Sequence, residues 1–299
     1  MSHDKLFSFV ITHRSVTLGN TMPSSNHIEA DYRMVLYVIR AIEDGYTNVM
    51  LRTCDTDVII IMIGHFENFV RLCPNLTLYV MFKTSSGTDY YNIKKICHDI
   101  GFEYCKGFML LYAYTGCDYT PSFSYHGKST WYDLFKKDTS VKSLFQKIAN
   151  NPTSTSLADL QAMVNFTLRG YGVTNPGLGL LEGRLEVLKR PTTLSFRALP
   201  PSPGAAIVQA AKARYVVYIW GLANNPVIDY GDMSKWGWKK VEDRWEPLWT
   251  VTAAPSDSVF QDCYRKCAKT CRCKSCFCKV KYKVKCLPEC GCKGLCQDL

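Results

Sequence analysis

The stretch Asn48-Val-Met-Leu-Arg-Thr-Cys-Asp-Thr-Asp57 decides the fold class, because it joins an apolar strand pattern directly to a pair of carboxylates. Its first six residues, 48–53, favour a buried strand, and the apolar segment 76–82 favours a second one. The run between them, 58–63, is apolar throughout and suits either a strand or a buried helix. Two buried strands in close succession, with helical patterns on both sides, predict an α/β fold with a mainly parallel sheet.

Helical patterns surround these strands. The clearest spans 27–43, where apolar residues recur at heptad-like spacing, with Asn26 as the predicted N-cap and Gly45 at the end. Further helices are predicted at 91–100, 103–114, 131–148, 156–168 and 205–220. Residues 170–204, rich in Gly and Pro, mark the margin of a domain.

The chain divides into three regions by composition. We predict an α/β domain at 1–148, a helical and Pro/Gly/Trp-rich connecting region at 149–258, and a cysteine-rich module at 259–299. Four tryptophans crowd the short segment 236–249. Such crowding favours a small packed unit over a surface on which nucleotide bases stack.

Length and composition restrict the class of protein. The chain has 299 residues, of which 47% are hydrophobic and 21% charged, and this composition excludes disorder throughout. No apolar run approaches the roughly 20 residues that cross a bilayer, and the polar start Met1-Ser-His-Asp-Lys5 does not resemble a secretory leader. We therefore expect an intracellular protein, nuclear or otherwise, that is neither secreted nor bound in a membrane.

Cysteine is concentrated at the C-terminal end. Ten of the fifteen cysteines are Cys263, Cys267, Cys271, Cys273, Cys276, Cys278, Cys286, Cys290, Cys292 and Cys296. A secreted disulfide scaffold spreads its bridges through the fold, whereas a dense cluster of Cys-x-Cys pairs is typical of shared metal ions. Because no histidine follows His126, every ligand from this segment is a thiolate, and we predict a structural Zn²⁺ cluster that this segment needs in order to fold.

Positive charge is concentrated in the same segment. Residues 263–299 contain ten Lys or Arg against two acids, which gives +8 of the chain's net +10. The basic residues and the tyrosine between two cysteine clusters are Lys279, Lys281, Tyr282, Lys283 and Lys285. A loop of this kind favours contact with phosphates, so we predict nucleic acid, and DNA in particular, as the partner. The alternative is that this segment is a solvent-exposed structural module that binds no nucleic acid.

Five acids in three short segments form the second candidate site. They are Glu29 and Asp31 in the first predicted helix, Asp55 and Asp57 after the first buried strand, and Asp118 after a later helix and a glycine. Four of them have an ordinary structural alternative, namely helix capping for Glu29 and for Asp55 or Asp57, and a turn for Asp118. Asp31 lies on the apolar stripe of its helix, where an ionised carboxylate is costly unless it is paired or bound to a metal ion. Taken together, five carboxylates make a hard-oxygen site for Mg²⁺ or Mn²⁺ of the kind that activates water for phosphodiester hydrolysis.

The three acidic segments, in this order, resemble flap-endonuclease-like nucleases of the PIN-like superfamily. A closer likeness is to the transposon-associated animal type, in the segments Glu29-Ala-Asp-Tyr-Arg33, Cys54-Asp-Thr-Asp-Val58 and Thr115-Gly-Cys-Asp-Tyr-Thr-Pro-Ser-Phe123. The resemblance covers residues 25–135 and implies a three-layer domain. It also implies that Glu29 and Asp31 bridge toward a first metal ion and that Asp55, Asp57 and Asp118 hold a second.

The chain departs from that family at its start. The family has further acids on an upstream strand, but only residues 1–28 precede Glu29 here, and Asp4 is the one acid among them. We therefore expect an N-terminally truncated version of the domain that lacks the first strand and at least one metal ligand. The helix-hairpin-helix that usually follows the last acidic segment is also not evident in 124–129.

The cysteine-rich module resembles the tesmin-type CXC domain, in which about nine cysteines bridge three zinc ions. One half-repeat is present, and the match is best over 276–296. The domain uses about nine cysteine ligands and this segment has ten, so either Cys263 or Cys267 is not a zinc ligand.

Two functions follow from these patterns. The first is a metal-dependent nuclease-fold protein, derived from a mobile element and tethered to nucleic acid by the zinc module. The alternative is a catalytically inactive nucleic-acid-binding protein that retains the fold. A metal buffer fused to a globular body fits less well, because metal-buffering proteins rarely have aromatic residues such as Phe277 and Tyr282 or a body of this size. A Cys–His hydrolase also fits less well, because no motif in this sequence pairs a cysteine with a histidine.

Overall fold

The computed structural model describes residues 24–190 and 198–251, together with the backbone of 9–11 and 16–18. It shows a mixed α/β protein with small sheets and many helices. The strands are β1 (Phe9–Ile11), β2 (Val16–Leu18), β3 (Asn48–Thr53), β4 (Thr77–Lys83), β5 (Thr88–Asn92), β6 (Trp238–Val241) and β7 (Arg244–Pro247). The helices are α1 (Ala30–Glu43), α2 (Thr56–Leu72), α3 (Ile93–Ile100), α4 (Cys105–Tyr114), α5 (Lys128–Lys137), α6 (Thr139–Asn150), α7 (Leu157–Gly170), α8 (Leu180–Lys189) and α9 (Pro203–Gly221). The predicted cysteine-rich module lies outside the described residues.

The chain forms two compact units that interleave along the sequence. The first comprises the described residues up to Ala113, then Lys142–Ser154 and Arg214–Asp232. The second comprises Tyr114–Val141, Thr155–Ala213 and the described residues from Met233 onward. Among the described helices, none is both long enough and apolar enough to cross a membrane.

The first unit is built on a three-stranded sheet in the order β3-β4-β5. β3 runs parallel to β4, with Asn48 opposite Thr77 and Thr53 opposite Phe82, and β5 is antiparallel to β4. Leu78 and Val80 of β4 are fully buried, as predicted for a central strand. The prediction of a strand at 48–53 is confirmed, but its predicted burial is wrong.

β3 alternates between exposed and half-buried residues, and Met50 is 57% exposed. The reason is its position at an edge, since β4 is the one strand that pairs with it in the described part of the chain. An edge strand with one uncovered face needs no continuous apolar run on both sides.

The ambiguous run 58–63 is part of helix α2, which is 17 residues long. Every residue from Asp57 to Phe66 is buried, so the helix is surrounded on all sides in this stretch. A helix that is apolar all round belongs in a core, and this explains why the apolar run shows no amphipathic period. α2 packs against α1 and α3.

Helix α1 begins later than its pattern predicts. Its N-cap is Glu29 and not Asn26, and its buried face is Tyr32, Val35, Leu36 and Val38. The side chain of Asn26 instead clamps the backbone of Ile228, donating to its carbonyl at 2.8 Å and accepting from its amide at 2.7 Å. This contact spans 202 positions of sequence, so no local pattern could predict it.

The predicted helix 131–148 is two helices, α5 and α6, separated at Asp138. Asp138 has an extended backbone, and its carboxylate accepts from the Ser140 amide at 2.9 Å and the Ser140 hydroxyl at 2.6 Å. These hydrogen bonds cap the start of α6 and lower the pKa of Asp138 to about 2. Competition of an Asp side chain for backbone amides is a common cause of such breaks.

The second unit has an aromatic core around Trp131, which is fully buried. Its ring lies 4.8 Å from that of Phe123 and 5.8 Å from that of Phe166, measured between centroids. A Cβ placed on Gly170 would lie 2.1 Å from the Trp131 ring, so the close approach of α7 to this ring needs a glycine.

The tryptophan-rich segment 236–249 is half packed. Trp236 and Trp238 are buried, as predicted for a small packed unit, whereas Trp245 and Trp249 are 40% and 66% exposed. β6 and β7 pair as an antiparallel hairpin in this segment, and Glu242 at its turn has a φ of 53°. The two buried tryptophans lie on β6 or just before it, and the two exposed ones lie on β7 or just after it.

Burial of His65 in α2 makes the first unit sensitive to acid. Its Nε2–H donates to the Trp220 carbonyl at 2.7 Å, and burial lowers the pKa of this histidine to about 4. Because the folded pKa lies below the unfolded value of 6.5, the stabilisation is complete above pH 6.5 and is lost as the pH falls toward 4. Between pH 7.5 and pH 5, we expect the free energy of unfolding to fall by about 2 kcal/mol more in the wild type than in His65→Gln.

Urea titrations at the two pH values measure this loss. His98→Gln is the matched control, since His98 is exposed. An equal acid sensitivity in His65→Gln and the wild type would contradict the prediction.

Candidate functional site

The first pair of predicted metal ligands lies where strand β3 ends and helix α2 begins. Asp55 is the N-cap of α2, and its Oδ1 accepts from the Asp57 amide at 2.8 Å. The Asp55 amide in turn donates to Thr53 Oγ1 at 2.9 Å, which tightens the turn out of the strand. The two carboxylates therefore lie together at the carboxyl end of a strand that runs parallel to its neighbour, the edge at which open α/β sheets bind ligands.

Asp57 is the buried member of this pair, at 6% exposure. Its Oδ1 accepts from the hydroxyl of Tyr112 on α4 at 2.7 Å. That hydroxyl also lies 2.8 Å from Thr56 Oγ1. Because the single Tyr112 proton goes to the carboxylate, Thr56 donates to Tyr112, and the three side chains form a directed chain. The arrangement fixes the orientation of a carboxylate beside the positive end of a helix dipole.

Glu29 and Asp31 lie together at the start of α1, as the sequence pattern predicts. Glu29 is the N-cap, and its amide donates to the Tyr32 hydroxyl at 3.3 Å. Asp31 is in the first turn, where negative charge stabilises a helix. Both are half-buried. The capping alternative therefore accounts for the position of Glu29, and the helix dipole accounts for an acid at position 31.

Asp118 lies in the second unit, on a tight turn. Cys117 and Thr120 exchange backbone hydrogen bonds at 3.1 Å, so Asp118 is one of the two residues at the tip. The turn follows Gly116, whose φ is 122° and whose missing Cβ would lie 2.9 Å from Ser122. Asp118 is exposed. The turn alternative accounts for its local structure.

In the described residues, no three His, Cys, Asp or Glu side chains come together in a group that could hold a metal ion. Among the predicted ligands, Asp55 and Asp57 are joined by a hydrogen bond, from the Asp57 backbone amide to Asp55 Oδ1. The joint site of five carboxylates stays a prediction. The ten predicted zinc ligands and the five predicted nucleic-acid contacts, between positions 263 and 296, lie outside the described residues.

Sequence reasoning missed Tyr112. The tyrosine is 55 positions from Asp57, in a helix predicted correctly but without any motif around it. Its position one turn from the C-terminal end of α4 gives no local signal. The burial of Asp57, which requires a hydrogen-bond donor, is seen only in the structure.

Comparison with known proteins adds no assignment to this geometry. No family model matches the chain, and neither a curated protein nor a solved structure matches it.

Proposed function

We propose that this protein is a divalent-metal-dependent nuclease-fold protein of the PIN-like type, in which Asp55 and Asp57 bind Mg²⁺ or Mn²⁺ and the C-terminal cysteines form a zinc module that binds DNA. The observation that carries the proposal is the pair of carboxylates at the end of β3. Asp57 is buried and oriented by Tyr112, and Asp55 is joined to it through the backbone.

The donor set fits the metal. Mg²⁺ keeps several of its waters and takes one or two protein carboxylates together with substrate phosphates, so a two-carboxylate site does not need a third acid from the protein. Asp55 uses Oδ1 to cap α2, and Oδ2 is the oxygen that we assign to the metal. A bound divalent ion supplies Lewis-acid activation and stabilises the charge on a phosphodiester.

The other residues of the site position the carboxylates. Tyr112 donates to Asp57 Oδ1 and thereby fixes the rotation of the buried carboxylate. Thr53 holds the turn between β3 and Asp55 through the Asp55 amide. Preorganised ligands bind a metal more tightly than ligands that must be ordered on binding.

The zinc module is the proposed nucleic-acid contact. Its support is the sequence alone: closely spaced Cys-x-Cys pairs, and a net charge of +8 over residues 263–299. Nine thiolates with three Zn²⁺ carry −3, so about +5 remains for phosphate. The basic loop from Lys279 to Lys285 is the segment that we assign to this contact.

A second candidate function rests on a specific observation. Asp55 caps α2 and Asp57 accepts the Tyr112 hydroxyl, so each carboxylate has a structural role without a metal ion. A protein that retains the fold for these reasons and binds nucleic acid through its tail would show no cleavage.

Cleavage of labelled DNA by the full chain tests the proposal. Single-stranded, flapped and duplex substrates are incubated with and without Mn²⁺, with Zn²⁺ kept stoichiometric. The metal-free arm omits Mn²⁺ and contains no chelator, because a chelator would also remove Zn²⁺. We expect cleavage only with Mn²⁺. Salt-sensitive DNA binding without cleavage would establish the second candidate, and the absence of both would refute both.

The role of the zinc module has its own prediction. We expect Cys290→Ser with Cys292→Ser to release zinc and to weaken DNA binding at least about tenfold, because the basic loop would lose its folded support. Zinc is measured by a colorimetric chelator and binding by fluorescence anisotropy. Cys54→Ser with Cys73→Ser is the matched control, since both of these thiols are free and lie in the first unit. Full zinc content in the tail variant would contradict the prediction.

A further inference from the structure

A cavity of about 190 Å³ lies within the second unit, beside helix α9. Its walls are mostly apolar, with Phe123, Val208, Leu248 and Trp249 among them, and its polar side chains are Ser122 and, from α9, Gln209 and Lys212. Trp249 is 66% exposed, so the cavity reaches the surface at that residue. None of the predicted metal or nucleic-acid contacts lines this cavity.

Lys212 is the unusual group in the lining, because it is charged and only 2% exposed. Its ammonium donates to the Leu248 carbonyl at 2.7 Å and lies 4.8 Å from the centre of the Trp249 ring and 5.5 Å from that of Trp238. Burial lowers the pKa of this lysine. Among the described ion pairs, none supplies Lys212 with a carboxylate.

A buried ammonium without an anionic partner is costly, and a carbonyl and two aromatic faces compensate only part of that cost. The carbonyl and one of these rings also line the cavity. The charge is therefore next to the space that a ligand would fill. An anionic group in that space would complete the pairing of the ammonium.

Hydrogen bonds hold the wall beside Lys212 together. Gln209, one turn earlier on α9, donates both amide protons, to the Tyr114 carbonyl at 2.8 Å and to the Pro121 carbonyl at 2.7 Å. These hydrogen bonds tie the segment that carries Phe123 to the helix that carries Lys212. A preformed site of this kind binds its ligand without first being ordered.

We propose that this cavity binds a small organic acid, with its carboxylate at the Lys212 ammonium and a single-ring apolar body against Phe123, Val208 and Leu248. The volume sets the size of the ligand, since an apolar cavity of roughly 150 Å³ accepts one benzene ring. Inorganic anions lack the apolar body, and neutral rings lack the charge. The site is independent of the metal-binding pair at Asp55 and Asp57.

Benzoate is the probe, with benzamide as its neutral equivalent and inorganic phosphate as an anion without a ring. Ligand-observed NMR titrations on the full chain measure the three affinities. We expect saturable benzoate binding that is at least about tenfold tighter than benzamide binding, the preference that one charge-assisted contact gives. Benzoate binding no tighter than benzamide, or phosphate binding as tight as benzoate, would overturn the proposal.

Three variants locate the site. Lys212→Met keeps the apolar stem and is expected to lose the tenfold preference for benzoate, whereas Lys240→Met makes the same change at an exposed strand position and is expected to keep it. Ala205→Leu fills the cavity while leaving the contacts of Lys212 in place, and we expect it to abolish benzoate binding. Unchanged benzoate binding in Ala205→Leu would refute the location even if Lys212→Met failed to fold.

Discussion

Asp55→Asn combined with Asp57→Asn is expected to lower Mn²⁺-dependent cleavage at least about a hundredfold. The reason is that both substitutions remove the negative charge from the proposed metal ligands, and even the outer partners of a metal site cost ten- to a hundredfold when they are replaced. The cleavage rate at saturating substrate, measured over a range of Mn²⁺ concentrations, gives the result. Cleavage at the wild-type rate would refute the assignment of the pair.

The fold is expected to survive this double substitution. Asparagine is as good an N-cap as aspartate, so position 55 keeps its hydrogen bond to the residue 57 amide. The amide oxygen at position 57 can still accept from the Tyr112 hydroxyl. Asp99→Asn with Glu103→Gln is the matched control, because it removes two exposed carboxylates from the same unit. This control is expected to cleave normally.

Trp131→Ala is expected to lower the free energy of unfolding of the second unit by about 3–5 kcal/mol. The indole is fully buried among Phe123, Phe166 and Tyr171, and α7 approaches it so closely that Gly170 has no room for a Cβ. An alanine would leave a cavity that this ring of large side chains closes only in part. Urea unfolding followed by tryptophan fluorescence and circular dichroism measures the loss.

Two further variants separate ring volume from polar contacts. The Trp131 indole N–H has no hydrogen-bond partner within the described residues, so Trp131→Phe removes no hydrogen bond and is expected to cost less than half as much as the alanine. Trp249→Ala removes an indole that is 66% exposed and is expected to cost under about 1 kcal/mol. Equal losses in Trp131→Ala and Trp249→Ala would contradict the role of burial.

Local patterns predicted the elements that carry their own signals. The strand at 48–53, the acids that follow it and the helix at 205–220 all depend on short-range periodicity and on residues at the ends of elements, and the structure has each of them. The acid pair after the strand was identifiable for the same reason. Its position at the end of a parallel strand follows from the order of the elements.

The wrong or missing predictions involve contacts between residues that are far apart in the sequence. Asn26 has the right chemistry for an N-cap, but it binds Ile228 from a distant segment. Val58–Ile63 shows no period because α2 is buried on all sides from Asp57 to Phe66, and Tyr112 is found beside Asp57 only through tertiary packing. Lys212 reads as an ordinary basic residue of a helix, and its burial depends on residues 238–249.

The edge position of β3 has a practical consequence for work with the purified protein. An edge strand presents unpaired amides and carbonyls to solvent, and a second copy can add to it as a neighbouring strand. Met50 adds an exposed apolar side chain there, while Arg52 is the charge that opposes such pairing. If the described edge of β3 is free in the whole chain, concentrated samples are expected to self-associate reversibly, and Met50→Lys is expected to suppress this without touching either candidate site.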